Sequence, residues 1–187
     1  VSDDLVLTLR TLLAELEVLG APYMLVGSVA ALAYGRSRAT QDFDLVVSLD
    51  ETTARKLVRA LPAERFYASE EAAVDAVRHA TLFNIIDLAT GWKVDVVPLK
   101  RRAFSQREFQ RRRLVEVVGL RMFVASVEDV IVAKWSKLAG GSSRQLDDVV
   151  ALIELAGPQL DVQYVEESAA ELGVTDGLRS ACAAAVR

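Results

Sequence analysis

The chain has 187 residues, 52% of them hydrophobic and 26% charged, with a formal net charge of −4. That length supports a real hydrophobic core, as one domain or as a small core with a helical appendage, and no apolar run approaches the length of a membrane span. Its single cysteine, Cys182, excludes an internal disulfide, its single histidine, His79, gives no basis for a histidine zinc site, and its acidity offers no global argument for nucleic-acid binding. The N-terminus lacks a basic then apolar secretory pattern, so the expected location is the cytoplasm.

Apolar residues at helical spacing from Asp3 to Leu19, closed by Gly20, predict a first helix. The apolar run Tyr23 to Val26 then enters Gly27-Ser28, and Asp42 and Asp44 open a second apolar run through Val47. This reads as strand, tight turn, short helix, strand. Glycine admits close approach of a ligand to the backbone, and Ser28 offers a hydroxyl and a helix cap, which suits phosphate. Residues i and i+2 of a strand share a face, so Asp42 and Asp44 project side by side while Phe43 and Leu45 face the core. Adjacent carboxylates repel unless a cation sits between them, and hard oxygen ligands suit Mg²⁺ shared with substrate phosphates.

Further along, helices are expected from Asp50-Glu51 to about Leu61 and from Ser69 to about His79. Two apolar runs, Thr81 to Ala89 and Trp92 to Leu99, flank Thr90-Gly91 and predict a hairpin. A two-residue turn there pairs Ala89 with Trp92, Asp87 with Val94, and Ile86 with Asp95, which sets Asp87 and Asp95 on opposite faces. Lys100 to Arg113 holds seven basic residues against one acid, Glu108, and reads as a helix tied to the body by Phe104 and Phe109. Leu114 to Val118 and Arg121 to Val124 predict a second hairpin, and Ser126-Val-Glu128-Asp129 a capping start for a helix through about Leu138. After Gly140-Gly141-Ser142-Ser143, a helix from Arg144 to Ala156 is expected, with Asp161 and Thr175 capping two more. The shift from strand-rich to all-helical near residue 126 divides a core, residues 1–125, from a helical subdomain, residues 126–187.

A Gly-Ser turn followed at this distance by Asp-x-Asp resembles the signature of the nucleotidyltransferase-fold superfamily, which includes DNA polymerase β. Arg38-x-Thr40-x-Asp42-x-Asp44 is similar to the first motif of the nucleotidyltransferase toxins of abortive-infection and type IV toxin-antitoxin systems. Lys93-Val94-Asp95-Val96 resembles their second motif, and Lys134 through Asp147-Asp148 their third. The resemblance implies an α/β (α+β) fold, a mixed sheet flanked by helices with a C-terminal helical subdomain. It also implies that Asp95 completes a metal-binding triad with Asp42 and Asp44, holding two Mg²⁺ ions and serving on the base side. Lys134 would contact phosphate, supported by Asp147 or Asp148, while Gly27, Ser28, Arg38 and Thr40 would line the nucleotide site.

The activity so implied moves a nucleoside monophosphate from an NTP to a hydroxyl, most readily the 3′ end of tRNA, in a toxin held by a cognate antitoxin. The alternatives are an antibiotic-type enzyme acting on a small molecule and a catalytically silent nucleotide-binding module. Clustered cations from Lys100 to Arg113 are the expected RNA contact. Phosphorylation of Thr40 would add charge that Arg36 and Arg38 could bind, blocking the triphosphate site.

Overall fold

A computed structural model of the chain describes residues 3–35, 42–117, 119–139, 144–175 and 178. The expectations attached to Arg36, Arg38 and Thr40 fall on residues outside those described, as does most of the helix expected from Thr175.

The first helix, α1 (Asp3–Val18), leads into β1 (Tyr23–Val26), the short α2 (Gly27–Ala33) and β2 (Asp42–Val47). Then come α3 (Glu51–Ala60), β3 (Phe66–Ala68), α4 (Glu70–His79), β4 (Phe83–Asp87), β5 (Lys93–Pro98) and α5 (Ala103–Gln110). A hairpin, β6 (Arg113–Val117) and β7 (Leu120–Val124), precedes α6 (Val127–Ala139), α7 (Arg144–Ala156), a 3-10 turn (Gly157–Gln159) and α8 (Val162–Glu171). Local chemistry sets several starts. The carboxylate of Asp50 accepts from the Thr53 amide at 2.6 Å, Ser69 from Ala72 at 3.2 Å, and Asp161 from Tyr164 at 2.9 Å, each relieving an amide that has no partner within its own helix. Ser126 takes the Asp129 amide at 3.2 Å and donates to its carboxylate at 2.6 Å, as the capping start predicts.

The seven strands form one mixed sheet in the order β3-β4-β5-β2-β1-β7-β6. The pairs β2/β5 and β1/β7 are parallel, and the other four are antiparallel. Alternation gives the sheet two different faces. Phe43, Val94 and Ile85 lie in register across β2, β5 and β4, and all three are fully buried. In the adjacent row, Asp44 is opposite Asp95 and Asp95 opposite Asn84. One continuous core runs from Leu5 and Leu9 of α1 through Leu25, Phe43 and Met122 to Ile131 of α6 and Leu152 of α7. No described helix is long and apolar enough to cross a membrane.

Four expectations are corrected. Ser28 does not cap α2: the helix begins at Gly27, so its cap position falls on Val26, which has no side chain able to accept. The β4–β5 hairpin is shifted by two residues, with Ile86 opposite Lys93 and Asn84 opposite Asp95. The Asp87 carboxylate accepts from the Ala89 amide at 3.1 Å and its carbonyl from Gly91 at 2.8 Å, so a longer loop replaces the two-residue turn. A shift of two keeps each side chain on its face, and Asp87 and Asp95 do lie on opposite faces. The basic helix is shorter than expected, because Arg113 already belongs to β6. The edge strand β3 was not expected at all; three residues give too short an alternation to read.

Candidate active site

Val26 pairs with Asp44 across β1 and β2, which brings the next residue, Gly27, against the Asp44 side chain. Gly27 has φ +66°, and a Cβ there would overlap the Asp44 carboxylate. Only glycine meets both demands, so the turn and the second carboxylate of Asp-x-Asp form one unit. On the other side of Asp44, the parallel register places Asp95 directly opposite it, and Asp42 shares their face. The three sequence-predicted carboxylates therefore occupy one patch of one face. Burial is the main force raising the pKa of Asp44; Lys137 opposes it, and the like charges of Asp95 and Asp42 add to it.

A cation is already present among them. Lys93 Nζ lies 3.2 Å from Asp95 and 3.6 Å from Asp42, and its pKa is raised, first by the hydrogen bond to Asp95. Asn84 donates to the same carboxylate, 2.5 Å from Asp95 Oδ1, the oxygen nearest Lys93. Among the described residues, no three carboxylate, histidine or cysteine side chains converge as a ready metal cage. The donor set of three aspartates suits a hard cation.

From Asp44 a cavity of about 260 Å³ runs along this face of the sheet. Its near end holds Gly27, Ser28 and Asp44, with Lys134 and Lys137 reaching in from one face of α6. Lys134 is buried and 2.7 Å from the carboxylate of Asp148 on α7. Of the two aspartates the sequence offered, Asp148 is the one that meets this lysine; Asp147 is exposed. The floor is apolar, made by Val46, Val97 and Pro98, and the far wall comes from Lys100, Arg102, Ser105 and Glu108. Sequence reasoning gave no site role to Lys93, Lys137, Asn84 or Glu108. The signal for Glu108 was present: it falls at i+4 from Phe104, so an acid interrupts the buried stripe of α5. Burial, then Asp129, raises its pKa to about 7, with Arg102 opposing.

Asp87 sits on the face opposite Asp95 and is fully buried. Arg65 binds it at 2.6 Å and Thr8 of α1 at 2.7 Å. Burial pushes its pKa up, but the hydrogen bonds from Arg65, Thr8 and the Ala89 amide outweigh that and hold it below the usual carboxylate range.

The expected RNA surface is also altered. Arg111 lies 3.8 Å from the Tyr164 ring centre and reaches Glu128 and Asp129 at 3.4 and 3.6 Å. Arg107 pairs with Glu171 at 2.6 Å, and Arg112 stacks on Phe109 and Phe123 at 4.4 and 5.0 Å. These three cations tie α5 to α6, α8 and β7. Replacing Arg111 by Glu would set a third acid against Glu128 and Asp129, so the consequence would be structural before it concerned any ligand. Lys100, Arg101, Arg102 and Arg113 remain exposed.

No family model and no curated protein matches the sequence. Solved structures do match. An antigenic nucleotidyltransferase-like protein from Paracoccidioides brasiliensis aligns over 100% of this chain and 95% of its own, at 22% identity and a TM-score of 0.60. ANT(2″)-Ia in complex with adenylyl-2″-tobramycin aligns over 90% and 96%, at 16% identity and a TM-score of 0.61. The chain has the nucleotidyltransferase fold. A third likeness, the lincosamide antibiotic adenylyltransferase LnuA with lincomycin bound, covers 81% of this chain and 96% of its own, at 13% identity and a TM-score of 0.53. Within the nucleotidyltransferase fold of this chain, Gly27, Asp42, Asp44 and Asp95 lie together on one face of the central strands, and Lys134 enters from α6 above it.

Proposed function

We propose that the protein transfers a nucleoside monophosphate from an NTP to a hydroxyl group, releasing pyrophosphate. The observation that carries this reading is the row formed by Gly27, Asp44 and Asp95, in which a turn with no room for a side chain abuts two carboxylates held opposite each other. Asp42, Asp44 and Asp95 are the residues that would hold Mg²⁺, which when bound neutralises phosphate charge and lowers the pKa of an attacking hydroxyl. Lys134, oriented by Asp148, and Lys137 supply positive charge to the triphosphate. Lys93 balances Asp95 and Asp42 within the chain itself.

For the acceptor we favour a small hydroxyl compound, because Arg107, Arg111 and Arg112 are engaged by Glu171, Glu128 and the rings of Tyr164, Phe109 and Phe123, which leaves fewer of the clustered cations for a polynucleotide. The second reading, the 3′ end of tRNA in a toxin held by an antitoxin, draws on the Arg-x-Thr-x-Asp-x-Asp likeness and on exposed Lys100, Arg101 and Arg113. Purified protein incubated with each α-labelled NTP and Mg²⁺ separates them, with total RNA in one arm and aminoglycosides and lincosamides in another. Label in a small product supports the first and label in an RNA band the second. No pyrophosphate release with any acceptor would contradict both.

A further inference from the structure

Glu108 is only 9% exposed, yet no described residue donates a hydrogen bond to it. Its oxygens are not among the fully enclosed unsatisfied atoms, and the residue lines the cavity, so the carboxyl opens into that space rather than into the core. Its charged neighbours are Asp129 of α6, which repels it, and Arg102, whose Nε is engaged with Ser105 at 2.7 Å. A buried carboxyl without a donor costs stability, and a ligand that brings one would relieve the cost.

The position of the cavity indicates what that ligand is. Its near end is shared with Gly27, Ser28, Asp44 and Lys134, the phosphate side of the site, whereas Asp95 and Asp42 do not line it. Beyond the phosphate end lies the apolar floor of Val46, Val97 and Pro98, suited to a flat heterocycle, and Glu108 stands on the far wall. We infer that Glu108 reads the edge of the nucleobase and selects bases that carry an exocyclic amino group. This rests on the nucleotide-site reading above. Cytosine and adenine each present an amino donor that a carboxyl can accept. Uracil and hypoxanthine carry a carbonyl at the corresponding position, and its lone pairs would face those of the ionised Glu108, whereas the protonated carboxyl could donate to it.

Two pairs of nearly equal size isolate this difference: cytidine against uridine and adenosine against inosine. Equilibrium binding of their α,β-methylene triphosphates to the full chain with Mg²⁺ is the test, on wild type, Glu108→Leu and Glu108→Gln. At a pH of about 8.5, where Glu108 is ionised, a charge-assisted hydrogen bond gained against a repelled carbonyl predicts that wild type favours the amino member of each pair by about tenfold or more. In Glu108→Leu the gap should close to within about threefold, through weaker binding of the amino members, while Glu108→Gln falls between. Glu108→Leu should also melt higher than wild type in the absence of nucleotide, since a partnerless buried carboxyl is removed. Equal binding within both pairs by wild type, or a gap that survives Glu108→Leu, overturns the inference and leaves the nucleotide site standing. Failure of all four analogues to bind overturns the nucleotide site and the inference with it.

Discussion

Asp87 and Asp44 are aspartates on two faces of one sheet, and they have opposite surroundings. Asp87 is fully buried but fully supplied, with Arg65, Thr8 and a backbone amide holding it ionised. Asp44 is buried beside Asp95 and Asp42, and its carboxyl is pushed toward the protonated form. The first arrangement serves stability, because α1 and the β3–β4 edge are tied through it. The second spends stability to keep negative charge in one place, which is useful only where a cation or a developing positive charge is to be bound.

The largest contrast should come from removing charge at the crowded face. Asp44→Asn or Asp95→Asn should lower nucleotidyl transfer by about a thousandfold or more, since each removes a carboxylate of the proposed metal site, while the melting temperature of Asp44→Asn holds or rises. Steady-state transfer and thermal melting on the same preparations check this. On the other face, Asp87→Ala leaves Arg65 without its partner and should cost about 3 kcal/mol in denaturant unfolding, with turnover per folded molecule unchanged.

A pH titration sharpens the comparison. The pKa of Glu108 is raised from 4.5 to about 7, so the folded state keeps a proton that the unfolded chain has released. The stability this proton contributes is complete below about pH 4.5 and is lost as pH rises through 7, about 3 kcal/mol in all. Glu108→Gln should flatten that limb of the stability curve, measured by urea unfolding across the range. Asp87 acts in the opposite sense: its pKa is depressed, so its contribution is present above the unfolded value and is lost as pH falls through the folded one. The smallest effect concerns Lys93, which is partly exposed and screened. Lys93→Met removes an ammonium that competes for Asp95 and Asp42, so Mg²⁺ binding by calorimetry should tighten by roughly 3-fold to 10-fold.

Much of this was legible because it is local. Asp50, Ser69 and Asp161 sit at the helix starts where their side chains can accept, and alternation alone places Asp42 and Asp44 on one face. Tertiary partners were not legible. The arginines from 107 to 112 read as part of an RNA contact, but Tyr164, Glu171 and Phe123, which engage them, come from elements well separated in sequence. The hairpin register failed for a local reason of another kind, because Asp87 closes its own loop with side-chain and backbone acceptors. Lys93 stands in the second motif with no role legible from sequence, since only the parallel pairing of β5 with β2 brings it beside Asp42.

The central claim is that one face of the sheet binds metal and nucleotide while the other binds only its own chain. Thermal melting of wild type, Asp44→Asn and Asp87→Asn, each with and without Mg²⁺ and a non-hydrolysable NTP, tests it most directly. The account predicts that ligand raises the melting temperature of wild type and of Asp87→Asn by similar amounts and leaves Asp44→Asn unmoved. Stabilisation of Asp44→Asn equal to that of wild type would contradict it.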